Sequence, residues 1–272
     1  MGRQVLLIGR VGEQSMHRHW IANASGERRV FDLHLSYYGA EASPFPDRGP
    51  DVTLTHDPGA KFPGLSVCLD KLDKRLPSYK WICFVDDDIW ATYGVWEKFF
   101  AVVEQLQPNL AQPALKRGSF YSHDITLERP AYMARWTNFV EIMNFCFSRD
   151  FLSRMRPSFK TNESGWGLDY YWAQHAAPAE RSLAIVDSAP VLHTRAVGRG
   201  GLYAVMAGGV SAAREDRVAL AAVKPRPKAF AGVRHDGTID THAALNRPLY
   251  LQNRISKLRK LLRIYSVQPP AG

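Results

Sequence analysis

Residues 79–90 read YKWICFVDDDIW: an apolar run rich in aromatic and β-branched residues, three consecutive aspartates, then an apolar pair. The run YKWICFV predicts a buried strand that feeds directly into Asp86, Asp87 and Asp88. Three adjacent acids repel each other unless a cation or hydrogen-bond donors compensate, so the arrangement costs stability in an empty site. A hard divalent cation, Mn²⁺ or Mg²⁺, prefers carboxylate oxygens and would relieve the repulsion. The alternative is a solvated acidic turn that ends the strand and caps the next helix.

Working outward, QVLLIG at 4–9, RVFDLHLSYYG at 29–39 and DVTLTHD at 51–57 each read as a strand. Residues 64–75, GLSVCLDKLDKR, place Leu65, Cys68, Leu69 and Leu72 on one helical face suited to packing on a sheet. This order of strands and helix predicts an α/β fold with mostly parallel strands, in which ligands bind beyond the carboxyl ends. The three aspartates occupy such an end.

The 272 residues are 46% hydrophobic and 22% charged, enough for one large core or two fused lobes. Cys68, Cys83 and Cys146 show no paired spacing, which argues against a disulfide framework or thiolate zinc site and for a reducing cytoplasm. No apolar run approaches the roughly 18 residues needed to cross a membrane, and VLLIG at 5–9 is too short for a signal-peptide core, so a soluble protein is expected. The formal charge of +9 favours an anionic partner without naming it.

Downstream, a helix is expected over Val95–Leu106, followed by the Pro-bounded segment PNLAQPAL and a polar loop. RWTNFVEIMNFCFSRDFLSRM suits a strand leading into a helix, and TNESGWGLDYYWAQ a glycine-rich turn opening a helix at Leu168. LAIVDSAPVLHTRAVG reads as a short buried strand, a turn and a second short strand carrying His193. Pro225, Pro227, Gly232 and Gly237 suggest loops around a short helix at 211–223. In the tail, Leu251, Ile255, Leu258, Leu262 and Tyr265 form an apolar helical stripe flanked by Arg254, Lys257, Arg259, Lys260 and Arg263. That helix packs on the catalytic domain, or meets an anionic inner membrane surface as a peripheral contact.

His193, at the end of its strand, offers a nitrogen ligand to the cation at the aspartates, or is a structural histidine. Asp169, in the first turn of its helix, is placed for general-base work, or answers the helix dipole there.

An apolar strand ending in Asp-x-Asp, a later acid after a Gly-Trp-Gly turn, and a histidine beyond it resemble the metal-dependent glycosyltransferases of the GT-A fold. More narrowly, FVDDDI, LAQPAL, FVEIMNFCFSR, SGWGLD and IVDSAPVLH, spread over residues 84–193, are similar to the successive blocks of the family called domain of unknown function 707. The resemblance implies a GT-A-like, Rossmann-type mixed sheet flanked by helices, to which the tail pattern adds a C-terminal helical extension. It implies a catalytic domain over 1–200, nucleotide-binding to about residue 90 and acceptor-binding over about 91–200; the pattern of 201–272 itself reads as a loop and basic amphipathic helix packed on that domain.

Carried onto this sequence, the resemblance assigns Asp86 to the ribose or metal shell, Asp88 to the metal, and His193 to the metal and diphosphate. Asp87, where the family often has Glu, joins the donor shell or turns away from the metal. Asp169 takes the base position, deprotonating an acceptor hydroxyl as it attacks the anomeric carbon. Lys61 and Asp57, in HDPGAKFPG, reach a nucleotide or serve surface roles; Arg195 and Arg199 close over a diphosphate or belong to a solvated basic loop. Glu141 grips acceptor hydroxyls or is satisfied by an arginine, and Trp166, between Gly165 and Gly167, stacks on a sugar or packs in the core.

The implied partners are a nucleotide-sugar donor and a glycan or lipid-linked acceptor, as in surface-polysaccharide assembly. A noncatalytic glycan- or nucleotide-binding module on the same fold is the alternative from another class. A metal-dependent phosphohydrolase would need more ligands converging near Asp88. No aromatic-basic nucleic-acid motif is present, so no nucleic-acid partner is expected.

Overall fold

The computed structural model describes residues 3–21, 29–39, 52–196, 226–241 and 245. Four of the readings above lie outside them: Arg199, Pro225, the short helix at 211–223 and the basic tail helix. Among the described residues, no helix is long and apolar enough to cross a membrane.

The chain forms a mixed α/β sheet flanked by helices. In order come β1 (Val5–Val11), α1 (His17–Ile21), β2 (Asp32–Tyr37), β3 (Val52–His56), α2 (Lys61–Leu72), β4 (Trp81–Asp86) and β5 (Ile89–Trp90). Then follow α3 (Tyr93–Leu106), β6 (Leu110–Leu115), β7 (Tyr132–Thr137), β8 (Asn144–Ser148), α4 (Arg149–Met155), α5 (Leu168–His175), β9 (Leu183–His193), β10 (Ala229–Arg234) and β11 (Ile239–Thr241). The strands lie in the order β11-β10-β7-β9-β6-β8-β4-β1-β2-β3, with β5 pairing separately with β9.

β1 runs parallel to β2 and β4, β2 to β3, and β6 to β9. Because β8 is antiparallel to both β4 and β6, the strands β1, β2, β3, β4, β6 and β9 share one direction. Their carboxyl ends therefore make one edge, and β8 begins at that same edge.

Period-2 alternation divides the core. Leu7, Leu33, Leu35, Cys83, Val85 and Cys146 pack with Trp20, Trp96 and Phe99 from α1 and α3. On the opposite face Leu6, Ile8, Ile82, Phe84, Phe145 and Phe147 meet Phe62, Leu69, Phe151 and Trp172 from α2, α4 and α5. Rings of Phe84 and Phe145 stack at 5.0 Å and Phe145 and Trp172 lie 5.1 Å apart. Each such buried ring contributes about 1.5–3 kcal/mol. The three cysteines are buried and free; Cys83 and Cys146 oppose each other across β4 and β8.

Two sequence readings are corrected and one unassigned segment is resolved. LAIVDSAPVLH is one eleven-residue strand, not two strands and a turn. Asp187, which reads as a turn residue, is a strand residue buried against Arg135, whose Nε and Nη2 each donate to it at 2.8 Å. LAQPAL is a strand despite Pro113, and its register against β9 shifts just past that proline. Gly232 and Gly237 belong to a β10–β11 hairpin rather than to loops: Gly232 packs so closely on Tyr132 that an added Cβ would lie 2.4 Å from the ring, and Gly237 turns the chain at φ +85°.

Candidate functional site

Asp86 is the last residue of β4, and Asp87 and Asp88 make the turn into β5. Pairing of Ile89 with His193 across β5 and β9 brings that turn against the end of β9. The backbone N–H and hydroxyl of Thr194 both donate to the Asp88 carbonyl, at 3.0 and 2.8 Å. His193 Nδ1 donates to the Phe120 carbonyl at 2.8 Å, which turns Nε2 toward Asp88 Oδ2 at 3.3 Å, where the protonated imidazole donates to the carboxylate. Asp88 Oδ1 is buried with no hydrogen-bond partner.

Burial opposes ionisation of Asp88, but the hydrogen bond and charge of His193 outweigh it and hold the carboxyl below its ordinary range. The same contact raises the imidazole against the effect of its own burial.

The other two aspartates are engaged by cations. Lys61, the first residue of α2, places Nζ 2.5 Å from Asp86 Oδ1 and donates to the Ile142 carbonyl at 2.5 Å. Burial nevertheless pushes Asp86 up to about 6, Lys61 opposing and Asp88 and Asp87 adding to the rise. Asp87 accepts from the Tyr38 hydroxyl at 2.6 Å and from Arg195 Nη1 at 3.0 Å, and Arg195 also donates to the Gln14 carbonyl. Burial and the Asp88 charge raise Asp87 above the usual carboxylate range, and burial and the Asp87 charge raise Tyr38 well above the phenol range.

The segment between β7 and β8 is tied to the same edge by its backbone. Glu141 N–H donates to Gln112 Oε1 at 2.5 Å, the Ile142 carbonyl accepts from Lys61, and the Met143 carbonyl accepts from Asp86 N at 3.0 Å. Glu141 is 6% exposed, and its Oε2 has no hydrogen-bond partner. Burial, then the negative charge of Asp169, push its carboxyl up to about 7 against the pull of His193, Lys61 and the Ser122 hydroxyl.

Asp169 is buried in the first turn of α5, its Oδ1 accepting from Tyr170 N at 2.9 Å. The turn before it is fixed by glycines. Gly165 has φ +83°, and a Cβ there would lie 2.1 Å from the Phe62 ring; Gly167, at φ +98°, caps the helix. Trp166 between them is half-buried, with its carbonyl accepting from Asn162 Nδ2 at 3.2 Å.

Asp57, just past β3, is fully buried and saturated. Its carboxylate accepts from Ser36 at 2.8 Å, Thr55 at 2.5 Å and Lys71 at 2.6 Å. Its carbonyl accepts from Arg10 Nη1 at 2.6 Å. His34 is held between Thr53 and Thr55 and is pushed down to about 4 by burial; burial drives the Cys68 thiol up to about 12. Among the described residues, His34, Asp57 and Cys68 are the group of three metal-capable side chains with ligand atoms within 4.8 Å of one another. Lys71 and the hydroxyls already serve that group. Asp86, drawn to Lys61, does not complete such a group with Asp88 and His193.

Sequence reasoning missed Arg10, Tyr38, Gln112 and Phe120. Arg10 is 1% exposed and donates to Ser36 Oγ and to the Asp57 and Gly59 carbonyls. A buried arginine inside the apolar run VLLIGRV is a signal that could have found it.

No protein-family model matches the chain, so none supports the resemblance to domain of unknown function 707, and no curated protein matches its sequence. Solved structures overlap it in fold. Staphylococcus aureus TarS residues 1–349 in complex with UDP-GlcNAc overlaps at TM-score 0.48 and 9% identity, over 76% of this chain and 62% of TarS 1–349. A second structure of TarS 1–349 gives 0.44 and 8%, over 70% and 60%. A proposed nucleotide-diphospho-sugar transferase from Desulfovibrio desulfuricans G20 gives 0.42 and 13%, over 79% and 99%. This chain thus spans less than two thirds of the TarS structures. At these scores the likenesses carry no weight for function, which rests on the residues themselves.

Proposed function

We propose that the protein is a metal-dependent glycosyltransferase that moves a sugar from a nucleotide-diphosphate donor to a glycan or glycoconjugate acceptor. The observation that carries this is the convergence, at one carboxyl edge, of the Asp88–His193 pair with the buried carboxyls Glu141 and Asp169. A binding module does not need a buried carboxyl raised toward neutral pH at such an edge; a proton-transfer site does.

The donor set suits Mn²⁺ or Mg²⁺. Asp88 Oδ1 is an orphaned buried oxygen, and His193 is held by Phe120 with Nε2 toward Asp88. Asp88 and His193 would hold the ion, and Asp86 would join on leaving Lys61. When bound, a divalent cation supplies charge neutralisation for the departing diphosphate.

Lys61 and Arg195, now paired with Asp86 and Asp87, are the cations positioned to take up donor phosphates. Trp166, Gly167 and Glu141 border Asp169 on the acceptor side. Asp169 accepts the proton of the acceptor hydroxyl. A lipid-linked acceptor and a peripheral membrane contact through the basic tail belong to the same proposal and rest on the tail sequence alone.

A screen of sugar nucleotides for transfer or hydrolysis tests the proposal. Wild type should turn over at least one donor in the presence of Mn²⁺, and Asp169→Asn should lower turnover by about a thousandfold while donor binding is largely spared. Normal turnover in that variant would remove Asp169 from the base role.

A further inference from the structure

We infer that Asp87 is the positioning residue of the aspartate triplet: its carboxylate fastens the segment after β1 and orients Arg195 at the same edge, and it takes no part in holding a metal. The use of Arg195 toward a diphosphate rests on the transferase proposal; the fastening rests on the contacts of Asp87 alone.

Asp87 and Asp88 are neighbours with opposite surroundings. Asp88 keeps a buried oxygen with no partner. Asp87 is 5% exposed and both its oxygens are engaged: Oδ2 accepts from the Tyr38 hydroxyl at 2.6 Å and Oδ1 from Arg195 Nη1 at 3.0 Å. The Gly12 N–H adds a further bond to the same carboxylate. A metal ligand needs a lone pair turned to the ion, and here the fold has turned both oxygens to its own donors.

Those donors come from three separate parts of the chain. Gly12 follows β1, Tyr38 follows β2 and Arg195 lies just past β9. The backbone of Asp87 joins them, its carbonyl accepting from Met16 N at 2.8 Å. Arg195 in turn donates through Nη2 to the Gln14 carbonyl. Tyr38 N donates to the Val11 carbonyl at 3.0 Å, and a Cβ at Gly12 would lie 2.4 Å from the Tyr38 hydroxyl oxygen, so only glycine lets the chain come this close. Residues 12–16 are thus tied to the turn between β4 and β5 through Gly12 and Met16, and to Arg195 through Gln14. Loss of one carboxylate loosens all of these neighbours together.

Arg195 is oriented without being used up. A guanidinium carries five N–H donors in a rigid fork. Among the described residues Asp87 and Gln14 take two of them, and the arginine side chain is 23% exposed. Thr194, its neighbour, is bonded twice to the Asp88 carbonyl, which fixes the backbone from which the fork extends. The remaining donors can meet phosphate oxygens while Asp87 holds the plane of the fork.

Hydrogen exchange read by mass spectrometry tests the fastening. In Asp87→Ala, peptides covering 12–16 should exchange about tenfold faster than in wild type, and Arg195→Ala should speed the same peptides by freeing Gln14. Asp87→Asn keeps the shape and an acceptor for Tyr38 but loses the ionic hold on Arg195, so its exchange should fall between, and it carries the comparison where the Ala variant does not fold. Exchange over 12–16 unchanged in these variants would overturn the fastening.

The role of the fastened arginine is read by binding. In calorimetric titrations of uridine, guanosine, adenosine and cytidine diphosphates with Mn²⁺ present, the one that wild type binds should bind about tenfold more weakly to Asp87→Ala and to Arg195→Ala. The double variant should bind it no more weakly than either alone, because one residue acts through the other. At saturating nucleotide the Mn²⁺ requirement of Asp87→Ala should stay within about threefold of wild type. Additive losses, or a Mn²⁺ requirement raised beyond that, would overturn the role, the latter by making Asp87 a metal ligand. A wild type that binds none of these diphosphates would sink the transferase proposal alone, with hydrogen exchange still deciding the fastening.

Discussion

Asp57 and Asp88 follow parallel strands at the same edge of the sheet, both are buried, and both carboxyls sit below their ordinary range. Their partners differ. Three donors saturate the Asp57 carboxylate, and Arg10 fixes its carbonyl. Asp88 has one imidazole at 3.3 Å and an oxygen with no partner. Burial is therefore a poor guide to function at this edge; the distinction lies in which polar atoms the fold leaves unsatisfied. Asp57 is finished by the protein, and the Asp88 side is built to be completed by something else.

The comparison can be broken at either centre. The largest effect is expected at the saturated one: Asp57→Ala strips Lys71, Ser36 and Thr55 of their acceptor and should cost about 3 kcal/mol in denaturant unfolding. A cost below about 0.5 kcal/mol would show that this network is not structural. A smaller, pH-dependent effect is expected from Lys61→Ala, about 1–2 kcal/mol near pH 8. Burial already raises Asp86 to about 6, and loss of the opposing ammonium raises it further. The deficit is thus greatest where Asp86 is ionised and shrinks as pH falls and the carboxyl takes a proton. A deficit that stays constant from about pH 8 to about pH 5 would mean the ammonium is not the partner that matters to Asp86.

Much of the sheet from β1 to β4 was legible because local pattern and tertiary role agree there. Strands β1 to β4 carry apolar or alternating runs, and α2 and α5 start near where composition places them, Asp169 falling in the first turn of α5 as expected. What was not legible depended on partners distant in sequence. Asp187 looks like a turn residue until Arg135, 52 positions away, neutralises it inside the sheet. Pro113 argues against a strand until a register shift accommodates it. Gly232 marks a break unless the Tyr132 ring lies across it.

The site divides in the same way. The residue types at Asp86, Asp88, Asp169 and His193 suggested ligand and acid-base chemistry. Nothing in the sequence near Glu141 says that its backbone is pinned by Gln112 or that burial pushes its carboxyl up. Likewise, that Lys61 and Arg195 each clasp one aspartate of the triplet follows only from the packing of α2 and the end of β9 against β4.

Thermal unfolding of wild type and Asp88→Ala with nucleoside diphosphates, each with and without Mn²⁺, tests the account at its centre. Binding to the folded state raises the midpoint. Wild type should be stabilised by at least one nucleoside diphosphate only when Mn²⁺ is present, and Asp88→Ala should lose that response. No stabilisation by any nucleotide in wild type, or an undiminished Mn²⁺-dependent shift in Asp88→Ala, would contradict it.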